Sequence, residues 1–192
     1  MPSNSVTVRH AAVDAPLLLL VYGVARVFDG LDGSYDPGTL PWTIGHLAFF
    51  GAMVLFGLLA VTVRPLVPAS ARPLAAIAAT MTIAGVACFL WTTTGDLSPA
   101  FQQARPLPET LQAAGPLLFA LGMLTVLGLL VAARQAPTWS PLLFGAGVAA
   151  VIIDIGFLPF AALILLASLA PLARPTRGAA QVPPTRHTMI LN

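Results

Sequence analysis

The chain has 192 residues, 57% of them hydrophobic and 8% charged, with nine basic and seven acidic side chains and a net charge of +2. Soluble proteins carry about a quarter charged residues, so this chain cannot cover a water-facing surface, and its apolar excess requires lipid. The small, scattered charge excludes a basic nucleic-acid footprint, and the single cysteine, Cys88, excludes a disulfide framework or a multi-cysteine metal site within the chain.

Residues 1–12 read as a cytoplasmic N-terminal tail. Arg9 followed by an apolar stretch resembles a signal peptide, but no small-x-small cleavage site follows, so the stretch is expected to be a retained helix over about 14–28. Asp14-Ala15-Pro16 supplies its cap and a first-turn proline.

The segment from Arg26 to Asp36 places three carboxylates, Asp29, Asp32 and Asp36, at the outer mouth of that helix. Carboxylates at this density can hold a hard cation. The spacing is not that of an EF-hand. It also departs from the membrane phosphotransferase signature beginning Asp-Gly-x-x-Ala-Arg, because Ala25-Arg26 precedes Asp29-Gly30. The plainer reading is a solvated turn in which Arg26 and Asp29 form an i,i+3 ion pair.

The second helix is expected over about 40–63 and carries His46, the one histidine inside an expected span. A single histidine supplies neither bis-His haem ligation nor a zinc set. It is a candidate proton-relay residue, a ligand of a mixed Asp/His site with the first loop, or an interfacial histidine bonded to a neighbouring carbonyl. The third and fourth helices, about 74–95 and 110–133, have no acidic or basic residue between their ends. Their lengths match the roughly 20 residues a bilayer core requires.

The fifth apolar run, 139–173, is too long for one untilted crossing. Asp154, Gly156 and Pro159 near its middle read as a turn between short helices of about 139–154 and 157–173. The alternative is a single long helix kinked at Pro159, with Asp154 buried at mid-membrane, where an ionisable residue is a functional candidate by default. These readings give six crossings or five.

Arginine accumulates on the cytoplasmic side. Six crossings with the N-terminus inside place Arg9, Arg64, Arg72, Arg134, Arg174, Arg177 and Arg186 inside. Asp29, Asp32, Asp36, Asp96, Glu109 and Asp154 then lie outside or at the outer boundary, and only Arg26, Arg105 and Asp14 break the pattern. Six crossings are therefore favoured, with both termini cytoplasmic. Trp42 and Trp91 fall near outer helix ends and Trp139 near an inner one, as aromatic belts require. The tail 174–192 is rich in proline and arginine and is expected to be disordered.

Gly51-x5-Gly57-Leu-Leu in the second helix is echoed by Gly122-x5-Gly128-Leu-Leu in the fourth, which suggests a parallel internal repeat. Small residues allow close helix approach in lipid. Thr80, Ala84 and Cys88 on the third helix, Gly145 and Ala149 on the fifth, and Ala48 and Ala52 on the second offer such faces, for packing within the bundle or for a membrane-protein partner or second copy. Hydrolase, P-loop, dinucleotide and His-Glu-x-x-His signatures do not occur, and no cofactor-binding or metal-binding signature is present.

The pattern of Gly45-His46-Leu47 heading one helix, an Arg-Pro loop, and Pro137-Thr-Trp139-Ser-Pro141 leading into a short final hairpin resembles the small multi-helix membrane proteins of GC-rich Gram-positive bacteria. The resemblance implies a plasma-membrane location and assigns no residue a role. The sequence thus leads to an all-α polytopic transmembrane bundle. Its candidate functional polar residues are Asp154, His46, Arg26, Asp29, Asp32 and Asp36. The foremost functional expectation is a non-enzymatic accessory or partner-binding component in the lipid bilayer. The others are a small transporter or ion-conducting protein using Asp154 and His46, and a membrane enzyme with an outward Asp/His site.

Overall fold

A computed structural model describes residues 3–31 and 37–174. Asp32 and Asp36 of the acidic segment, and the tail beyond Arg174, lie outside them. Among the described residues the chain is all helical, with no strand. The helices are α1 (Ser3–Asp29), α2 (Leu40–Thr62), α3 (Arg72–Leu97), α4 (Pro99–Ala104), α5 (Glu109–Ala132), α6 (Trp139–Ile153) and α7 (Leu158–Ala173). Five helical stretches are long and apolar enough to cross a membrane: Val6–Asp29, Leu40–Leu66, Ala69–Leu97, Glu109–Ala132 and Ile155–Ala173. This is the pattern of a multi-pass membrane protein. Helix α6 has 15 residues, about 22 Å at 1.5 Å per residue.

Helix α1 starts at Ser3 rather than near Asp14. Val8, Ala11, Ala12 and Ala15 are all buried, so packing against the bundle extends the helix upstream of the local start signal at Asp14-Ala15-Pro16. Asp14 is therefore not a cap. It sits inside α1, 3.8 Å from His10 one turn earlier. The short α4 was not expected from the sequence. Ser98 caps it, accepting from the Phe101 N–H, and the Trp91 indole N–H donates to the Arg105 carbonyl at 2.9 Å.

At Asp154 the helix breaks. Asp154 has extended backbone (φ −155°, ψ 125°), and its carboxylate accepts the Gly156 N–H at 2.7 Å. Pro159 then occupies the first turn of α7, where its missing N–H costs nothing. The two halves of the run fold back on each other. Ser140 and Ser168, both fully buried, each donate to the other's backbone carbonyl. Gly147 meets Leu165 and Ala161 further along. Later residues of α6 thus face earlier residues of α7, which is an antiparallel hairpin.

The six longer helices pack in a closed ring: α1 on α2, α2 on α3, α3 on α5, α5 on α6, α6 on α7, and α7 back on α1. The centre is filled by aromatic rings. Phe56 and Phe144 are 0% exposed, with centroids 6.3 Å apart, and Phe119 lies 5.4 Å from the first and 6.2 Å from the second. Phe89 and Phe49 extend the column edge-to-face toward Tyr22. Such pairs are favourable beyond their buried area.

Glycine makes the α3–α5 contact the tightest in the ring. A Cβ on Gly85 would stand 2.5 Å from the Phe119 nitrogen and 2.6 Å from the Gly115 oxygen, and one on Gly122 would strike the Thr82 nitrogen at 2.6 Å. Cys88 packs on Gly115 in the same seam. The stripe read from the sequence therefore divides. Cys88 faces α5, whereas Thr80 and Ala84 are exposed, because the buried face of α3 runs through Ala75, Ala78, Ala79, Thr82 and Gly85. Ala149 is also exposed and Gly145 is half-buried, while Ala48 and Ala52 are buried. The repeat does not extend to packing: Gly57 lies against Val86, but Gly128 faces open space.

Alternating helix direction gathers the helix ends bearing Arg9, Arg64, Arg72, Arg134 and Arg174 at one end of the ring. It gathers Asp29, Asp96, Glu109 and Asp154 at the other, together with Arg26 and Arg105.

Candidate functional site at the acidic end of the ring

Three helices bring polar side chains together where α1 ends, α2 begins and α3 ends. Asp29, the last residue of α1, is buried, and its Oδ1 accepts from the Thr39 hydroxyl at 2.6 Å. Thr39 is also the cap of α2, its hydroxyl oxygen accepting from the Trp42 N–H at 3.3 Å. The Asp29 charge therefore sits beside the positive end of the α2 dipole, which favours it. The loop between the helices reaches Thr39 through Gly38, whose φ of +92° suits glycine.

His46 lies one turn into α2 from Trp42 and is 5% exposed. Its Nδ1 is 2.8 Å from the Trp42 carbonyl oxygen. A carbonyl only accepts, so Nδ1 carries the proton. The opposite nitrogen, Nε2, stands 3.7 Å from Oδ2 of Asp96 on α3. The imidazole is held flat by two rings, Trp42 at 4.1 Å and 34° and Tyr22 edge-on at 5.5 Å. Gly45 makes this possible, since a Cβ there would be 3.2 Å from Tyr22 and from Ala25. One turn above Tyr22, the half-buried Arg26 reaches the Tyr22 phenol as a charge and hydrogen-bond neighbour, and Asp96 also acts on that phenol through its charge.

Tyr22, Arg26, Asp29, Trp42 and His46 line a cavity of about 10 Å³, about the space of one water. Two larger recesses flank it. One, of about 110 Å³, lies among Trp91, Phe101, Gln102, Arg105 and Gln112. The other, an open apolar groove of about 460 Å³, runs between α1 and α2 along Val21, Val24, Phe28 and Ile44.

Of the residues singled out from the sequence, Arg26, Asp29 and His46 meet in this cluster. Asp154 does not line its cavity: it is exposed at the α6–α7 turn, with its carboxylate on Gly156. Asp32 and Asp36 lie outside the described residues. Among the described residues no group of three or more His, Cys, Asp or Glu side chains is placed to hold a metal ion. Sequence reasoning missed Tyr22 and Asp96 as site residues. Asp96 carried a usable signal, being an acidic residue at a helix end on the same side as Asp29. Tyr22 carried none, because a tyrosine in an apolar helix reads as packing.

No protein-family model, curated protein or solved structure matches the chain.

Proposed function

We propose that the chain is a six-crossing plasma-membrane protein with both termini cytoplasmic, serving as a non-enzymatic accessory or partner-binding component. The observation that carries this reading is the Phe56–Phe119–Phe144 cluster. It occupies the axis of the ring, where a channel or substrate path would run. The antiparallel α6–α7 hairpin, and the placing of five of the seven described arginines at the end opposite Asp29, Asp96, Glu109 and Asp154, support the count and the orientation. Thr80, Ala84 and Ala149 lie exposed on the outside of the ring, and small residues of this kind admit a neighbouring helix in lipid.

A small transporter using Asp154 and His46 requires the two on one polar path. His46 faces Asp96 instead, Asp154 serves as a cap, and phenylalanine rings lie beneath His46. An outward Asp/His enzyme finds Asp29 and His46 on one cavity, but a cavity of about 10 Å³ has no room for an organic substrate.

The test is cross-linking in native membranes followed by mass spectrometry of the full-length protein, wild type against Thr80→Leu/Ala84→Leu. The wild type is expected to retain a membrane-protein partner or a second copy, and the double variant to lose it. Recovery of the wild type only as a lone chain would sink the reading.

A further inference from the structure

We propose that His46 and Asp96 form a one-sided proton-binding site, taking up and releasing one proton at the acidic end of the ring. This inference does not depend on the partner-binding reading.

Three observations carry it. The first is the locked tautomer. Because the Trp42 carbonyl holds the Nδ1 proton, a neutral His46 presents the lone pair of Nε2 to the Asp96 carboxylate at 3.7 Å. Two acceptors face each other there unless a proton lies between them. With that proton, the pair becomes imidazolium and carboxylate, joining α2 to α3.

The second is charge balance among the described residues. The groups around His46 are Tyr22, Arg26 and Asp29 from α1 and Asp96 from α3. Arg26 is the one fixed cation, and Asp29 and Asp96 are two anions. A proton on His46 makes the cluster two cations against two anions. Without it, a largely buried cluster is left with an unmatched negative charge, which low-dielectric surroundings penalise.

The third is access. The His46 side chain is 6% exposed, whereas that of Asp96 is 34% exposed. Asp96 therefore opens the site to the medium. On the other side, Tyr22 and Phe49 lead into the aromatic column that ends in the fully buried Phe56 and Phe144. The proton enters and leaves by the same mouth. The arrangement senses pH rather than conducting protons, and protonation tightens the α2–α3 contact.

The experiment uses full-length protein labelled with ¹⁵N-histidine in lipid nanodiscs, with the His46 signals identified by their loss in His46→Gln. At the alkaline end His46 is expected to show the neutral Nδ1–H tautomer. On acidification it is expected to become doubly protonated, the second proton sitting on Nε2 toward Asp96. In Asp96→Asn, which keeps the side-chain volume but removes the carboxylate, the doubly protonated form is expected to be depleted relative to wild type in the same acidic buffer. An Nε2–H tautomer, a His46 that stays neutral in acid, or an Asp96→Asn protein as fully protonated at His46 as the wild type overturns the assignment. In proteoliposomes carrying an internal pH dye, no His46-dependent proton flux is expected. A flux abolished by His46→Gln or Asp96→Asn would overturn its one-sidedness.

Discussion

Replacing Gly85 by alanine adds one methyl group where α3 and α5 touch backbone to backbone. That methyl would stand 2.5 Å from the Phe119 nitrogen, 2.6 Å from the Gly115 oxygen and 2.7 Å from the Phe119 Cβ. None of these atoms ends a flexible side chain, so no rotamer change relieves the clash. Helix α5 must withdraw by roughly 0.9 Å to restore ordinary contact, and a packed seam resists such a shift at about 2–3 kcal/mol, the upper part of the overpacking range. For a chain of this size that lowers Tm by about 4–12 °C. Gly128 is the internal control: it lies in α5, and nothing stands within 4 Å of an added Cβ. Gly128→Ala is expected to gain about 0.5–1 kcal/mol, because alanine is the better helix former. Cys88, the one thiol of the chain, packs on Gly115 in the same seam. Thermal unfolding followed with a thiol-reactive dye therefore reports the separation of α3 from α5 directly. If Gly85→Ala melts within a degree or so of Gly128→Ala, the close approach described here is wrong.

Two further outcomes test other parts of the molecule. Phe144→Ala should cost about 3–5 kcal/mol in reversible unfolding from mixed micelles, since Phe144 is fully buried against Phe56 and Phe119. A loss below about 1 kcal/mol would mean that the ring centre is not packed. Asp154→Ala should lose the cap on Gly156, at about 0.5–2 kcal/mol, and Asp154→Asn should keep most of it, because an amide oxygen also accepts. Equal melting of the two variants would show that the charge, not the cap, matters at that turn.

Much of the helix layout was legible in the sequence. Apolar runs of bilayer length are set by composition and by the need to pair every backbone group inside lipid, so α2, α3 and α5 appear close to where they were expected. The Asp154 break was legible as well, since Asp, Gly and Pro act through local backbone geometry. Asp14 and Pro16 misled because the same local signals were overridden by the buried face of α1, which no window around them reveals. Thr80 and Ala84 misled for a related reason. Spacing marks a stripe of small residues, but only the neighbour's position decides which stripe is buried.

The sequence by itself determined that the chain is helical and belongs in lipid, and which end of each helix carries arginine or acid. Those properties depend on composition and on order along one dimension. The ring closure, the phenylalanine-filled centre and the partner of His46 were decided by the tertiary structure. His46 and Asp96 are 50 residues apart on different helices, and their 3.7 Å approach follows from how α2 packs on α3. The Gly85–Phe119 approach, in the same way, follows from how α3 meets α5. A charge read in isolation is a surface residue or a cost. It becomes a site only when packing places a second charge beside it and limits its access to water.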